Sequence, residues 1–149
     1  ERPYTSPALA APACRPARPV LQSTYQYPAQ VGEALLEPRA LADQIVEWLE
    51  AKQAEDIVLL DVRKVSLLAD YFVIGNGTTD RQLGTLAEEV WAQAKAAGES
   101  LLHLEGEART GWVLMDYGSV VVHLLSPQLR AYYRIEEVWR DARIVLRMP

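Results

Sequence analysis

"GWVLMDYGSVVVHLL", residues 111–125, decides the fold because it has the pattern of two strands joined by a tight turn. Gly118-Ser119 suits a two-residue turn with glycine first, and a turn at Tyr117-Gly118 is also possible. Side chains alternate between the two faces of a strand, and both turns give the same division of faces. One face is entirely apolar and is predicted to lie in the core: Val113, Met115, Tyr117, Val120, Val122 and Leu124.

The second face of this hairpin mixes polar and apolar side chains: Trp112, Leu114, Asp116, Val121, His123 and Leu125. Such a face is either covered by helices, with its polar atoms satisfied, or in contact with another molecule. Trp112 begins its strand beside the glycine-containing segment EGEARTG, so we predict that it reaches solvent more readily than Asp116 or His123. Tryptophan is strongly enriched among the residues that dominate protein interfaces. We interpret His123 as a structural residue with its polar atoms satisfied, inside the sheet or at its edge.

The elements outside the hairpin follow from the spacing of apolar residues and from capping signals. Helices are predicted from Pro38 to about Ala54, from the Thr79–Gln82 capping box to Gly98, and from Ser126-Pro127 onward. Strands are predicted at Asp56–Val62, Tyr71–Gly77 and Ser100–Gly106. Because few helices separate these strands, a repeated parallel fold is disfavoured. The predicted class is α/β, a mixed five-stranded sheet flanked by helices in the order α-β-β-α-β-β-β-α.

The last predicted helix carries an apolar stripe and many charges. The stripe is expected to pack against the sheet and consists of Leu129, Tyr132, Tyr133, Ile135, Val138 and Trp139. The charges alternate in sign, which is typical of a salt-bridged face rather than an RNA-binding patch. They are Arg130, Arg134, Arg140 and Arg143, interleaved with Glu136, Glu137 and Asp141.

Composition divides the chain into two parts. Six prolines fall within the first 28 residues, so residues 1–37 are predicted to be a Pro-rich disordered extension before a domain at 38–149. The Arg-bearing, acid-poor start leaves open the remnant of an organelle transit peptide. The net charge of −5, with 17 acidic against 12 basic residues from Arg39 onward, disfavours a general nucleic-acid binder or an RNA-binding assembly factor. No apolar run reaches the roughly 20 residues that span a bilayer.

Catalytic and metal-binding patterns are weak throughout the sequence. One cysteine, Cys14, and two histidines, His103 and His123, are too few for a Cys/His zinc site, and no metal or cofactor is expected. The turn GNGTTD, residues 75–80, leads from a strand to a helix start, where phosphate can bind. It lacks the Lys-Ser/Thr of a phosphate loop. A nucleotidyltransferase using Gly77, Thr78 and Asp80 would need converging carboxylates, and the sequence offers no convincing set.

Three blocks of the sequence together resemble the ribosomal silencing factor family, also called Iojap-like. These blocks are ADYFVIGNGTTDRQ (residues 69–82), EG with WVLMDYGSVVVHLL (residues 105–125) and YYRIEEVWRDA (residues 132–142). The resemblance runs from about Pro38 to Ala142, in the order and spacing of the family. The chain departs from it at Ser119, where the family usually has Asp, and at Asn76–Thr79, where the turn differs but keeps a hydroxyl cap.

The resemblance implies a nucleotidyltransferase-like fold without that enzyme's activity. It implies binding to the large ribosomal subunit, at its fourteenth protein, and a steric block to joining of the small subunit that represses translation. Free members are often homodimers, and organelle relatives assist large-subunit assembly. A cytoplasmic location is therefore expected, with mitochondrion or plastid as the alternative if residues 1–37 derive from a transit peptide.

Partner contact is predicted to centre on Trp112, followed by Asp116, with Glu105, Met115 and Tyr117 as further candidates. The last two conflict with the strand alternation, which puts them on the apolar core face. The acidic domain suits a basic ribosomal protein, because opposite charge speeds docking.

Overall fold

The computed structural model describes residues 36–149, which form six strands and four α-helices. The helices are α1 (Pro38–Ala51), α2 (Asp80–Ala96), α3 (Pro127–Tyr133) and α4 (Ile135–Val138). The strands are β1 (Glu55–Asp61), β2 (Tyr71–Asn76), β3 (His103–Glu107), β4 (Trp112–Asp116), β5 (Val120–Leu125) and β6 (Arg143–Met148). The predicted Pro-rich extension lies outside the described residues, apart from Leu36 and Glu37.

The strands form one mixed sheet in the order β3-β4-β5-β2-β1-β6. Only β2 and β5 pair in parallel, and the other neighbours are antiparallel. The predicted mixed α/β architecture is thus confirmed, but the predicted count of five strands is wrong. The sixth strand, β6, pairs with β1 along its length and places Arg143 opposite Asp61.

Helices α1 and α2 cover the first face of the sheet, which holds the larger core. Pro38 occupies the first turn of α1. A backbone N–H at this position has no acceptor within the helix, so proline costs no hydrogen bond here. The apolar stripe of α1 is buried as the spacing predicts: Leu41, Ala42, Ile45, Val46 and Leu49. These side chains pack with the first-face residues of the central strands, among them Leu59, Val73, Val122 and Leu124.

The start of α2 confirms the predicted capping signal. Thr79 adopts an extended conformation, and its hydroxyl accepts a hydrogen bond from the backbone N–H of Gln82. The Gln82 side chain in turn accepts from the N–H of Thr78, at 2.8 Å. Gly98 follows the helix with φ +89°, a conformation that favours glycine.

The β4–β5 hairpin closes on the Gly118-Ser119 turn rather than on Tyr117-Gly118. The N–H of Tyr117 donates to the carbonyl of Val120 at 2.9 Å, and Gly118 has φ +89°. The face predicted to be core is buried along its whole length: Val113, Met115, Tyr117, Val120, Val122 and Leu124. Strand alternation therefore identified this half of the core correctly.

The predicted last helix is wrong in two respects. It breaks into α3 and α4 at Arg134, which has a left-handed backbone with φ +49°. Ser126 and Pro127 begin α3 as expected, with the Ser126 hydroxyl accepting from the N–H of Leu129. The stripe expected to be buried is buried only in part, since Ile135 packs in the second-face core but three members are exposed. These are Tyr132, Tyr133 and Val138.

Among residues 36–149, no helix is both long enough and apolar enough to cross a membrane.

Candidate functional site

The second face of the sheet is only partly covered. Cross-strand pairing sets three rows of side chains on this face, running from β3 toward β2. They are His103–Asp116–Val121–Phe72, Glu105–Leu114–His123–Ile74 and Glu107–Trp112–Leu125–Asn76. In the middle row exposure falls steadily, from an exposed Glu105 through a half-buried Leu114 to a buried His123 and Ile74.

Helices α3 and α4 produce this gradient by covering one end of the face. Leu129, Ile135 and Trp139 pack with the second-face residues of β1, β2 and β5. The β3–β4 end stays accessible. We call it the open face and define it by His103, Glu105, Leu114, Asp116 and Val121, with Trp112 and Tyr133 at its rim.

Trp112 stands where the covered and open parts of the face meet. Its indole ring lies 5.1 Å from the ring of Tyr133 and 6.2 Å from that of His123, between centroids. The indole is half-buried, and its Nε1 is buried with no hydrogen-bond partner among residues 36–149. Trp112 is therefore more exposed than the buried His123, as predicted, and is half-buried like Asp116.

Carboxylates surround the outer side of the open face. Glu105 Oε2 lies 2.6 Å from His103 Nε2, and both side chains are more than half exposed. Asp116 is half-buried, and its Oδ1 accepts a hydrogen bond from the N–H of Gly118 at 2.7 Å. One Asp116 oxygen thus holds the hairpin turn, so this residue has a structural role beside any binding role. Arg109 binds Glu107 at 2.6 Å.

Two of the predicted contact residues lie on the wrong side of the sheet for this surface. Met115 is 1% exposed and Tyr117 is 7% exposed, and both pack in the first-face core. Strand alternation is the physical reason, because residues 115 and 117 point away from the face that carries Trp112 and Asp116. In this fold neither side chain is accessible to a partner.

Two accessible residues of this surface were not among the sequence-predicted contacts. Leu114 lies at the centre of the open face, between Glu105 and His123 in the pairing. Its position on the mixed face followed from alternation, but its exposure depends on where the last helices lie. Tyr133 was assigned to the core stripe, but its side chain is half exposed and its ring lies against that of Trp112.

His123 is buried in the sheet as predicted, but the prediction that its polar atoms are satisfied is wrong, because its Nδ1 has no hydrogen-bond partner among residues 36–149. It is 8% exposed and makes an edge contact with Phe72, with ring centroids 5.3 Å apart. Burial lowers the pKa of His123 to about 4, because the charged imidazolium would lose its hydration in this apolar setting.

A buried arginine, Arg130, anchors helices α3 and α4 to the sheet face that they cover. Arg130 on α3 is 6% exposed, and its Nη1 donates to the Asp56 carbonyl at 2.6 Å and to Asn76 Oδ1 at 2.8 Å. Its Nη2 and Nε donate to Glu136 Oε2. Burial alone would raise the pKa of Glu136, but the Arg130 hydrogen bonds lower it on balance. The sequence indicated a surface ion pair here and gave no sign that Arg130 is buried.

The glycine-bearing turn before α2 has a structural explanation. Thr78 and Thr79 are engaged by Gln82 in the helix cap. A Cβ on Gly77 would lie 3.0 Å from the Leu83 side chain, so close packing accounts for this glycine. Within residues 36–149, no group of three or more His, Cys, Asp or Glu side chains is placed to hold a metal ion.

The fold and this surface together define a binding domain. A half-buried indole ring, a half-buried leucine and carboxylates share one partly covered sheet face, an arrangement suited to contact with a protein.

Comparison with known proteins identifies which binding domain this is. The family described as "Ribosomal silencing factor during starvation" matches residues 36–148, and the chain belongs to this family. A ribosomal silencing factor of Bacillus subtilis is 44% identical over 91 residues, covering 61% of this chain and 77% of the relative. A crystal structure of a Chromobacterium violaceum protein superposes with a TM-score of 0.68 at 36% identity, covering 70% and 87% of the two chains. The mouse "Mitochondrial assembly of ribosomal large subunit protein 1" is 32% identical over 100 residues, covering 65% and 44%.

Family membership confirms the resemblance found in the sequence. It also confirms that the chain is a ribosome-directed regulator rather than an enzyme, because the family and the curated relatives are named for silencing.

Proposed function

We propose that this protein binds the fourteenth protein of the large ribosomal subunit through the open face and sterically blocks joining of the small subunit. Translation is then repressed without any chemical reaction. The single observation that carries the proposal, within a family named for ribosomal silencing, is the position of Trp112 at the rim of an incompletely covered sheet face.

The composition of the open face supports a protein partner. The half-buried Leu114 and Trp112 supply apolar contact area, while Glu105 and Asp116 supply charge around it. Interfaces of about 800 Å² per partner commonly combine an apolar centre with a polar rim. Tyr133 extends the apolar part beyond the sheet.

Charge supports a basic partner. The chain has a net charge of −5, and the open face contributes Glu105 and Asp116 to that excess. Ribosomal proteins are generally basic, so long-range attraction would accelerate docking. The bulk of the domain then occupies the volume that the small subunit requires.

Two further properties belong to the proposal. The site of action is the cytoplasm, and the free protein is a homodimer. Size-exclusion chromatography with light scattering on the free protein tests the second property directly, since a monomeric mass across the concentration range would contradict it.

A second candidate function is assistance of large-subunit assembly in an organelle. It is favoured by the mouse relative, whose name specifies mitochondrial assembly of that subunit. The two functions differ in the state of the target. An inhibitor of joining acts on mature large subunits, whereas an assembly factor binds precursor particles in preference to mature ones.

The decisive experiment is co-sedimentation of the full chain with purified mature large subunits, followed by a subunit-joining assay. Trp112→Ala should weaken binding by roughly 30-fold or more, since truncation of an interface hot-spot tryptophan costs about 2 kcal/mol or more. Trp91→Ala is the matched control, because Trp91 is a half-buried tryptophan on α2, against the other face of the sheet. Equal binding by Trp112→Ala and the parent protein would refute the proposed contact.

A charge-reversal pair tests the acidic rim. Glu105→Lys should slow association with large subunits, while Glu88→Lys, an exposed α2 position on the other side of the domain, makes the same change of net charge. If both variants slow association equally, the effect is one of total charge and the open face is not the docking surface.

A further inference from the structure

We propose that the domain has a second contact surface, a basic corner that binds RNA phosphates without sequence preference. The corner consists of Arg39, Arg63, Lys64 and Arg143. It lies around β1, β2 and β6, whereas the open face lies at the β3–β4 end of the same sheet. It therefore goes beyond the proposed protein contact and does not depend on which large-subunit protein is bound.

Asp61 organises the corner from the end of β1. Its Oδ2 lies 2.7 Å from Arg63 Nη2 and 3.4 Å from Arg143 Nη2. One carboxylate, 9% exposed, is thus shared by two guanidinium groups that are 54% and 65% exposed. The shared carboxylate leaves one positive charge unbalanced and holds both arginines at the surface.

Tyr71, the first residue of β2, brings a third arginine to the corner. The guanidinium carbon of Arg63 lies 5.3 Å from the centre of the Tyr71 ring. Arg39, at the start of α1, binds Asp43 at 3.0 Å. Asp43 raises the pKa of Arg39, and Arg39 begins the helix whose Leu41 and Ala42 share the first-face core with Tyr71.

The corner contrasts in charge with the rest of the domain. Its four cations face Asp43 and Asp61, with Asp70 also near Arg63. The remainder of residues 36–149 contains 8 basic and 15 acidic residues. Within the corner the four cations therefore outnumber the three carboxylates by one, whereas acid is in excess elsewhere in these residues.

Arginine is well suited to phosphate, because its planar guanidinium can donate two parallel hydrogen bonds to phosphate oxygens. The family's target is the ribosome, much of whose surface is RNA backbone. A phosphate contact at the corner would add salt-sensitive affinity and fix the orientation of the bound domain without specifying a sequence.

A lipid surface is the competing partner, since Leu67 and Leu68 are exposed in the loop that follows Lys64. Two leucines offer less apolar area than a single myristoyl chain, and one such chain gives only marginal membrane binding. The arginines are the more numerous feature, so phosphate recognition by charge is favoured over insertion.

The test measures binding of the full chain to a labelled RNA duplex of arbitrary sequence across a range of salt concentrations. The double variant Arg63→Gln/Lys64→Gln leaves Arg143 to balance Asp61, so the fold should persist, as circular dichroism can verify. The slope of log K against log salt should become less steep by about 1.8, or about 0.9 for each lost phosphate contact.

The matched control is Arg81→Gln/Arg109→Gln, which removes the same charge from exposed positions outside the corner. This control should keep the parental slope. An equal reduction in both double variants, or no measurable binding by the parent protein at low salt, would overturn the basic corner.

Two further measurements separate this inference from its competitors. Trp112→Ala should leave duplex binding unchanged even where it abolishes binding to large subunits. The proposal for the open face and the proposal for the basic corner can therefore be refuted independently. Vesicles containing phosphatidylserine should bind more weakly than the duplex. Binding to vesicles but not to RNA would refute phosphate recognition of RNA.

Discussion

The ring of Tyr133 packs against the indole of Trp112, with centroids 5.1 Å apart and the planes inclined by 49°. Tyr133 is the last residue of α3 and Trp112 is the first residue of β4. Their contact therefore joins α3 to the sheet at the boundary of the open face. The Trp112 indole is half-buried, and its Nε1 is buried. The position of α3 therefore governs how much of Trp112 a partner can reach.

Removing the tyrosine ring should loosen this junction. We expect Tyr133→Ala to lower the free energy of unfolding by about 1 kcal/mol, the usual contribution of an aromatic pair beyond burial. Urea denaturation measures the change. Leu67→Ala, at a fully exposed position, should be neutral. Acrylamide should also quench Trp112 more strongly in Tyr133→Ala, and unchanged quenching would mean that Tyr133 does not shield the indole.

The Arg130 network predicts a larger effect. Arg130→Met should destabilise the domain by about 3–5 kcal/mol, because it strips hydrogen bonds from Asn76 and from the Asp56 carbonyl and leaves Glu136 unpaired. Arg130→Lys should also destabilise, since an ammonium cannot reproduce the forked contacts. Arg134→Lys alters an exposed ion pair and serves as the control. Equal stability of the Arg130 and Arg134 variants would show that the network contributes nothing.

Two glycines should respond to alanine in opposite directions. Gly106 has φ +85°, and a Cβ there would lie 2.1 Å from the Trp112 carbonyl oxygen, so Gly106→Ala should cost at least about 1–3 kcal/mol. Gly84 lies within α2, where a Cβ would make an ordinary 3.7 Å contact with Ala108. Gly84→Ala should stabilise by about 0.5–1 kcal/mol, because alanine favours helix. Thermal melts of the two variants should therefore shift to opposite sides of the parental midpoint.

His123 should make stability depend on mildly acidic pH. Its pKa falls from 6.5 to about 4 on folding. Between these two pH values the imidazole is protonated in the unfolded chain but neutral in the folded domain, so protonation favours unfolding. The stability contributed by neutral His123 is complete above pH 6.5 and is lost as the pH falls toward 4, by about 3 kcal/mol in total.

This pH dependence is isolated by a difference measurement. His123→Leu should abolish that component of the unfolding free energy between pH 6.5 and 4, whereas His103→Gln, at an exposed position, should retain it. A parallel pH profile for His123→Leu and the parent would show that burial of this imidazole is not the cause.

Local chemistry predicted the parts of this fold that depend on near neighbours. The alternation around Gly118 gave the correct core face, and Thr79 with Gln82 marked the start of α2. Contacts remote in sequence escaped prediction. Arg130 is buried because it meets Asp56, 74 residues away, and β6 is a strand because β1 provides its partner.

The same distinction applies to the candidate site. Trp112 and Asp116 could be assigned to one face from their spacing, and that assignment also excludes Met115 and Tyr117. The extent of the open face could not be read from the spacing, because it depends on the break at Arg134. A regular helix through this residue would have placed Ile135 and the residues after it differently, and no glycine or proline marks the interruption.

The parallel pairing of β2 with β5 has a consequence for how the chain folds. Each of these strands is also paired with a strand that is adjacent to it in sequence: β2 with β1, and β5 with β4. Such antiparallel hairpins can form rapidly on their own. The two strand pairs join when β2 pairs with β5, which sets Phe72 opposite Val121. Only then is the sheet complete, so that helices can pack on both of its faces. Encounter of two preformed hairpins is therefore expected to limit the folding rate, and substitutions at the β2–β5 seam should slow refolding more than equally destabilising ones in α4.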